Sequence, residues 1–373
     1  MDRREFISKS VAAGTLAMGA SVLISSCNGN GRSGLMNPHI YNSDAHKILY
    51  YASLAPSGHN SQPWAVKILN ETQWVVEADK ERNLSIVDSE NREVMLSLGA
   101  FIENLVTAAA VFGFTAHITI IAKTNFDQQV AEVTLEKREV EKYPLQRLVL
   151  RRTIKSNMQS RQLLKQDISA FEKEAGSNLY YFPKGSRHAD IMEKEAVDNF
   201  KIQSESDKAQ EELACWIRFK NSAIEKYRDG ITSYSMEING LAGWYVRNFM
   251  DKKNVMGKSF RQKGIEKTIE QVKQGAGWIV LTSNSEATAD LIDVGRKFQR
   301  MALIARERNI AIHPMTQTIE EKHGQKNIKA NHKPATIPQF MLRVGYLNKY
   351  PKPVTLRRPV QWFVHYCPTS IQT

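Results

Sequence analysis

The residues whose types and spacing are best suited to ligand binding or catalysis lie in one polar loop, ASLAPSGHNSQPW, at residues 52–64. A Pro-Ser-Gly sequence at 56–58 ends a predicted helix, and Pro63 leads into a predicted strand. Between them the loop offers backbone amides, a hydroxyl and the carboxamides of Asn60 and Gln62, which can bind the imide edges of a flat heteroaromatic ring. The alternative is a polar turn whose Asn and Gln side chains cap neighbouring elements, and composition alone favours neither strongly.

His59, in the same loop, is the nearest group that could transfer a proton near neutral pH. A histidine in a polar turn more often serves as a hydrogen-bond donor or a surface residue. The nine histidines show no HxxxH-type spacing, and Cys27, Cys215 and Cys367 are too few and too far apart for a CxxC zinc site or a disulfide framework. The sequence therefore predicts no metal site.

The elements that must position the loop alternate between helices and strands. Residues 41–140 give a helix, a strand pair, a long helix closed by Gly113, and a second strand pair, and a second unit begins near Arg151. The segment 216–274, with scattered Met, Trp, Tyr and Gly, fits neither periodicity and indicates an inserted lid of helices and loops. The predicted helices are 43–54, 95–112, 164–176, 189–212 and 287–308, and the predicted strands are 64–69, 74–78, 117–122, 130–135, 278–282, 310–312 and 339–346.

Composition indicates a globular protein of one large or two ordinary domains. The 373 residues are 42% hydrophobic and 24% charged, with 51 Lys and Arg against 39 Asp and Glu, a net charge of +12. This positive charge permits an anionic partner such as a phosphate or a lipid head group. Because the basic residues are spread along the chain without a run of five or six, the pattern argues against nucleic-acid binding.

The first 27 residues are typical of an export signal. Arg3 and Arg4, followed by Phe6 and Ile7, resemble the twin-arginine signal, and the tripeptide before Cys27 resembles a bacterial lipobox. The stretch between them is too short and polar for a comfortable membrane span, and residues 28–40 suit a flexible tether. The expectation is a periplasmic or cell-surface lipoprotein, membrane-anchored by acylation at Cys27. Twin-arginine export commonly carries proteins already folded around a cofactor.

The loop as a whole resembles the PSxxNxQPW loop of the nitroreductase-like flavoproteins. In that family the loop packs beside the isoalloxazine ring of FMN, which lies between two identical subunits and also contacts a phosphate-binding Arg motif. Hydride transfer at flavin N5 needs no protein base, so the resemblance implies no catalytic side chain. The matching residues are Pro56, Ser57, Asn60, Gln62, Pro63 and Trp64.

Departures from the family pattern indicate a fused pair. No phosphate-binding motif precedes Pro56, whereas a basic cluster at 151–155 opens the second unit, which in turn lacks a PSxxNxQP loop. The resemblance, which covers about residues 41–365, thus implies an α+β nitroreductase-like FMN-dependent fold of two fused halves forming an intramolecular pseudo-dimer with one composite FMN site. Such fusion is found in the Acg-type branch of the family. The chain is then expected to act as a monomer.

The resemblance also assigns cofactor contacts beyond the loop. The cluster at 151–155 is expected to meet the phosphate, the stretch at 311–317 to pass the N5 edge, and the tail LRRP at 356–359 to reach the phosphate. A solvated helix start and a plain basic tail are the alternatives. The implied FMN-binding residues are Pro56, Ser57, His59, Asn60, Gln62, Arg151, Arg152, Thr153, Lys155, Pro314, Met315, Thr316, Gln317, Arg357 and Arg358.

These inferences combine into two hypotheses of different classes. The first is an exported FMN oxidoreductase that passes electrons from NAD(P)H or another donor to a nitroaromatic, quinone or similar flat acceptor. The second is an FMN-binding or sequestering protein whose lid occludes the flavin; a degenerate scaffold without cofactor is a third reading. The predicted parts are a signal (1–27), a tether (28–40), a first half (41–150), a second half (151–350) with the lid-like insertion (216–274), and a tail (351–373).

Overall fold

The computed structural model describes residues 41–332 and 335–367, which form a five-stranded β-sheet, a four-stranded β-sheet and a short two-stranded sheet with packed helices. This arrangement confirms the predicted α+β class. The predicted signal and tether, including Cys27, lie outside the described residues.

The first half is a sheet covered by two helices. Ser43 begins the first helix because its Oγ accepts a hydrogen bond from the His46 amide at 3.3 Å. Strand β1 places Trp64 in the core, where it stacks on Phe101 at 5.1 Å between ring centroids. The elements are α1 (Asp44–Ala52), β1 (Trp64–Ile68), β2 (Gln73–Ala78), α2 (Arg92–Val111), β3 (Phe114–Ile120), β4 (Gln129–Lys137) and the short α3 (Gln146–Leu150).

The second half is an antiparallel sheet in the order β5 (Leu179–Pro183), β8 (Gly277–Ser283), β10 (Ile337–Tyr346) and β9 (Ile310–Pro314). All of its strands except the half-buried edge strand β5 are buried on both faces. All seven residues of β8 are buried, which explains its continuous apolar sequence. In chain order the elements are α4 (Lys165–Ala175), β5 (Leu179–Pro183), α5 (Arg187–Glu205), α6 (Asp207–Trp216), β6 (Ile217–Arg218), α7 (Asn221–Tyr227), β7 (Ile231–Thr232), α8 (Gly240–Phe249), α9 (Lys252–Met256), α10 (Lys258–Val272), β8 (Gly277–Ser283), α11 (Thr288–Glu307), β9 (Ile310–Pro314), α12 (Gln317–Glu320), α13 (Lys322–His332) and β10 (Ile337–Tyr346).

Helices α2 and α11 join the two halves by a close crossing. A Cβ added at Gly99 would lie 2.1 Å from the carbonyl oxygen of Ile292, and one added at Gly295 would lie 2.1 Å from that of Leu96. The two backbones can approach this closely only because both positions lack a side chain. By length and mean hydropathy (1.8) α2 could cross a membrane, but 78% of its most apolar window is buried, as expected of a core helix.

One predicted helix was wrong as a single unit. Residues 189–212 cover nearly all of α5 and the first part of α6, which are separated at Ser206, whose backbone is extended (φ −74°, ψ 113°). The Ser206 hydroxyl accepts a hydrogen bond from the Ala209 amide and thereby starts a new helix. The other predicted helices and strands are present with ends shifted by a few residues.

The chain end returns to the first half. Strand β11 (Val364–Tyr366) adds in parallel to the edge of β1, with Val364 beside Val66. This return carries Arg357 and Arg358 across the molecule to the end of α1, where the polar loop begins.

Candidate functional site

The polar loop after α1 has a strained backbone. His59, Asn60 and Gln62 all have left-handed conformations, with φ of 49°, 53° and 55°. Each such residue other than glycine costs about 1–2 kcal/mol. The Ser57 hydroxyl holds the turn closed by accepting a hydrogen bond from the Gln62 amide at 3.0 Å. Strain of this kind, maintained by surrounding contacts, is typical of functional loops.

Arg357 binds the loop from the C-terminal return. Its Nη1 donates to Asn60 Oδ1 at 3.0 Å, and its Nε donates to the Ser53 carbonyl at 2.8 Å. Burial, together with the neighbouring guanidinium of Arg151, lowers the pKa of Arg357 to about 9. The loop, the tail and the start of the second half therefore meet at one place.

Arg358, which is expected to reach the phosphate, forms hydrogen bonds with the polar loop and with Asp79. Its Nη2 donates to the carbonyls of Gln62 and Trp64, both at 2.7 Å, and its Nη1 contacts Asp79 Oδ2 at 3.2 Å. Its backbone amide donates to Gln62 Oε1 at 2.9 Å. The guanidinium is thus committed to holding the loop against β1.

The basic cluster at 151–155 lies beside the loop. Arg151 is 8% exposed, and its Nε and that of Arg152 are buried without hydrogen-bond partners among the described residues. Burial lowers the pKa of Arg151, Arg152 and Lys155. Thr153 is half-buried between them. Burying such charges without full compensation is costly, so the cluster favours an anion at this position.

Lys155 connects the cluster to the loop and to β9. Burial and the Lys155 charge lower the pKa of His59 to about 4, and burial with Arg343 and Lys155 lowers that of His313 well below its usual value. His59 Nδ1 is buried and has no hydrogen-bond partner in the part of the chain described. Both histidines are therefore neutral at physiological pH, and neither adds to the positive charge.

The four residues at 314–317, all expected to contact the cofactor, lie in different surroundings. Met315 packs into the core of the second half with Trp278, and its amide donates to the Met341 carbonyl at 2.9 Å. Gln317 donates to the Ala196 carbonyl on α5 at 3.3 Å. Pro314 ends β9 and is half-buried. Thr316 contacts the first half through a side-chain hydrogen bond with Glu93.

That contact involves a carboxyl pair that sequence analysis missed. The Glu93 side chain, in the first turn of α2, hydrogen-bonds with those of Glu320 and Thr316. A Cβ on Gly58 would lie 2.9 Å from Glu93 Oε2, so the pair borders the loop. Burial and the Glu320 carboxylate raise the pKa of Glu93 to about 8. The raised pKa favours a protonated Glu93 at neutral pH.

Segment 216–274 covers the loop. Asn60 and Gly230 form two hydrogen bonds, from the Gly230 amide to the Asn60 carbonyl at 3.1 Å and from Asn60 Nδ2 to the Gly230 carbonyl at 3.2 Å. Gln62 Nε2 donates to the Arg228 carbonyl at 2.9 Å. Pro56 and Ser57 are half-buried beneath this cover. The carboxamides expected to face a ring are therefore bonded to the protein itself.

Glu237, from the same segment, faces the basic cluster. Its Oε1 accepts from the Lys155 amide at 3.0 Å and lies 3.6 Å from Arg152 Nη2. Its backbone is left-handed, with φ of 61°. A carboxylate thus stands where the cluster would bind a phosphate.

Grooves of about 410 and 490 Å³ lie elsewhere on the surface, the first lined by Lys220 and Arg247.

The residues present fit the phosphate end of FMN. Arg151 is buried, and Arg152 and Lys155 are half-buried. The Nε atoms of both arginines are buried without hydrogen-bond partners among the described residues, and a phosphate would supply the missing acceptors. In the sequence, the loop residues were identified by their spacing and the basic cluster by its position at the start of the second half. Glu93, Glu237 and Glu320 gave no such signal, because single glutamates on helices and loops are common.

The chain is similar along most of its length to proteins named NAD(P)H nitroreductases. It is 23% identical over 345 residues to "Putative NAD(P)H nitroreductase acg" of Mycobacterium tuberculosis (strain ATCC 25618 / H37Rv), covering 84% of this chain and 93% of that protein. It is 22% identical over 341 residues to "Putative NAD(P)H nitroreductase Rv3131" of the same strain, with coverages of 89% and 94%. No family model matches the chain.

Two solved structures show remote likeness. The FMN-dependent nitroreductase NfnB from Mycobacterium smegmatis in complex with NADPH is 11% identical, with a TM-score of 0.30, and the match covers 54% of this chain and 90% of that one. A "putative nitroreductase" from Anabaena variabilis is 10% identical, with a TM-score of 0.33 and coverages of 83% and 90%.

Proposed function

We propose that this protein binds FMN and is an FMN-dependent oxidoreductase of the nitroreductase type. The observation that carries the proposal is the meeting of three segments distant in sequence: Asn60 in the loop, Arg151 in the basic cluster and Arg357 in the tail. The names of its sequence relatives support the same activity.

In this proposal different side chains bind the phosphate and the ring of FMN. Arg151, Arg152 and Lys155 hold the phosphate by charge-assisted hydrogen bonds, and Arg357 keeps Asn60 in place beside the ring. When bound, FMN supplies hydride transfer. The protein's own residues position the reactants, exclude water, and hold a proton at Glu93 for an acceptor that needs one.

The proposed donor is reduced nicotinamide, as the relatives' names indicate, and the proposed acceptor is a nitroaromatic, a quinone or another flat molecule. We also propose export and acylation at Cys27. The bilayer would then lie near the site, and lipid labelling of the full chain, abolished in Cys27→Ser, tests the anchor. Labelling that persists in this variant contradicts it.

One observation favours a second function, flavin sequestration without reductase activity. Gly230 and Arg228 bond directly to Asn60 and Gln62, so segment 216–274 covers the loop that would contact the ring. A cover that stays in place over bound flavin would bar nicotinamide from stacking on it. The two functions therefore differ in whether segment 216–274 moves away from the loop to admit nicotinamide.

The first experiment is the visible absorbance of the purified full chain, with added FMN and then with anaerobic NADH or NADPH. Asn60→Ala and Arg152→Ala, in different halves, should each weaken FMN binding by about ten- to a hundredfold, since each removes a hydrogen bond at a charged group. Arg138→Ala, on the exposed end of the first sheet, is the matched control.

The outcomes are distinct. Rapid bleaching by nicotinamide supports the reductase, and flavin that stays oxidised supports sequestration. Unchanged FMN affinity in both Asn60→Ala and Arg152→Ala would refute the composite site, and a protein that takes up no FMN would refute both functions.

A further inference from the structure

Helix α8 has apolar residues on two opposite faces. Val246, 8% exposed, packs inward with Ala214, Ile217 and Phe219. The outward face carries large apolar side chains at helical spacing. These are Leu241, Trp244, Tyr245 and Phe249, with exposed fractions of 86%, 51%, 47% and 60%.

These side chains form one continuous surface, which we call the aromatic face. The rings of Trp244 and Phe249 lie 5.2 Å apart, and those of Tyr245 and Phe249 stack at 5.4 Å. Soluble proteins rarely expose contiguous apolar surface of this kind, and where they do it marks an interaction site.

The charge of the segment that carries the aromatic face indicates an anionic partner. Segment 216–274 holds twelve Lys and Arg against six Asp and Glu, so half of the net charge of +12 falls in about a sixth of the chain. Lys252, Lys253 and Lys258 are exposed and follow the aromatic face directly along the chain. Trp and Tyr prefer the membrane–water interface, and lysines near it are attracted to anionic head groups.

We propose that the aromatic face of α8 and the lysines of α9 and early α10 dock on an anionic lipid membrane. Trp244 and Phe249 enter the head-group region while Lys252 and Lys253 contact lipid phosphates. The proposal does not rest on the proposed FMN function and differs from the lipid anchor, because it uses a folded surface. A second copy of this chain is the rival occupant, but like charges around the face oppose self-association.

The consequence concerns access to the site. Helix α8 begins three residues after Glu237 and ten after Gly230, the residues that cover the basic cluster and the loop. Docking would therefore hold this cover against the bilayer, where a lipid-soluble acceptor is concentrated.

The test is co-sedimentation of the full chain carrying Cys27→Ser, which removes any lipid anchor, with phosphatidylcholine vesicles lacking or containing phosphatidylglycerol. We expect binding to the anionic vesicles, weakened by salt. Trp244→Ser with Phe249→Ser should reduce the partition coefficient by about tenfold or more, and Lys252→Gln with Lys253→Gln by about tenfold. Trp362→Ser, a matched change at a 49% exposed tryptophan in the C-terminal tail, should leave the partition coefficient unchanged.

Equal binding by the Trp244/Phe249 variant, or no binding to anionic vesicles, would overturn the proposal. Dimers that this variant abolishes, without vesicle binding, would assign the face to a second copy. Leu241→Ser, the most exposed single change, tests the face independently should the double variant fail to fold.

Discussion

Replacing Glu93 by Gln should remove a pH dependence of folding. The pKa of Glu93 is about 8 in the folded protein against an ordinary value of 4.5, and its side chain is 14% exposed. Between these pH values the folded state keeps a proton that the unfolded chain has lost, so the free energy of unfolding falls as pH rises. At 1.36 kcal/mol for each pKa unit, the loss reaches roughly 3–5 kcal/mol by pH 8.

Gln matches the shape of a protonated Glu and does not titrate, so Glu93→Gln should match wild type near pH 4.5 and exceed its stability progressively toward pH 8. Urea unfolding at half-unit pH intervals measures the difference between the two curves. Glu172→Gln, at an exposed carboxylate on α4, is the control and should parallel wild type. A Glu93→Gln curve parallel to wild type across this range would refute the assignment of a buried, proton-holding carboxyl.

Two further predictions concern the helix crossing and the basic cluster. Gly99→Ala should lower the free energy of unfolding by about 3 kcal/mol or more, because the new Cβ would lie 2.1 Å from the Ile292 carbonyl oxygen. Gly264→Ala is the control and should cost little, because its Cβ would face a movable Phe ring at 3.4 Å. Equal urea midpoints for the two variants would contradict the close packing of α2 and α11. Glu237→Gln should tighten FMN binding by about tenfold, because it removes the carboxylate that competes for Arg152, and weaker binding in a flavin fluorescence titration would count against competition.

The fold was predictable where its cause is local. Helix α2 and strand β8 show in the sequence because apolar spacing and continuous apolar runs follow from burial of one element at a time. The break between α5 and α6 was missed because a single Ser206 within an amphipathic pattern is a weak signal. The need for Gly99 was invisible, since it arises from a backbone nearly two hundred residues away.

The candidate site likewise contains residues that a local sequence pattern predicts and residues that only the folded structure brings together. The loop was recognisable because Pro, Ser, Asn and Gln stand at fixed spacing within a few residues. The phosphate contact of Arg358 stays a prediction, whereas its hydrogen bonds to Gln62 and Asp79, which join the tail to the loop, could not be predicted from a basic tail sequence. Glu93 and Glu320 lie more than two hundred residues apart, and only folding reveals that their side chains form a hydrogen bond.

The electrostatics of the basic cluster link the two proposed functions. Arg151 and Arg357 are buried cations and Lys155 is half-buried, and Glu237 is the carboxylate that contacts the cluster within the described residues. A phosphate dianion would supply more negative charge, and it cannot share the cluster with Glu237 without repulsion between like charges. Binding of FMN should therefore displace Glu237, and with it the chain that reaches Asn60 through Gly230. On this argument the cover is loosened by the cofactor itself, which favours a reductase open to substrates over a protein that stores flavin.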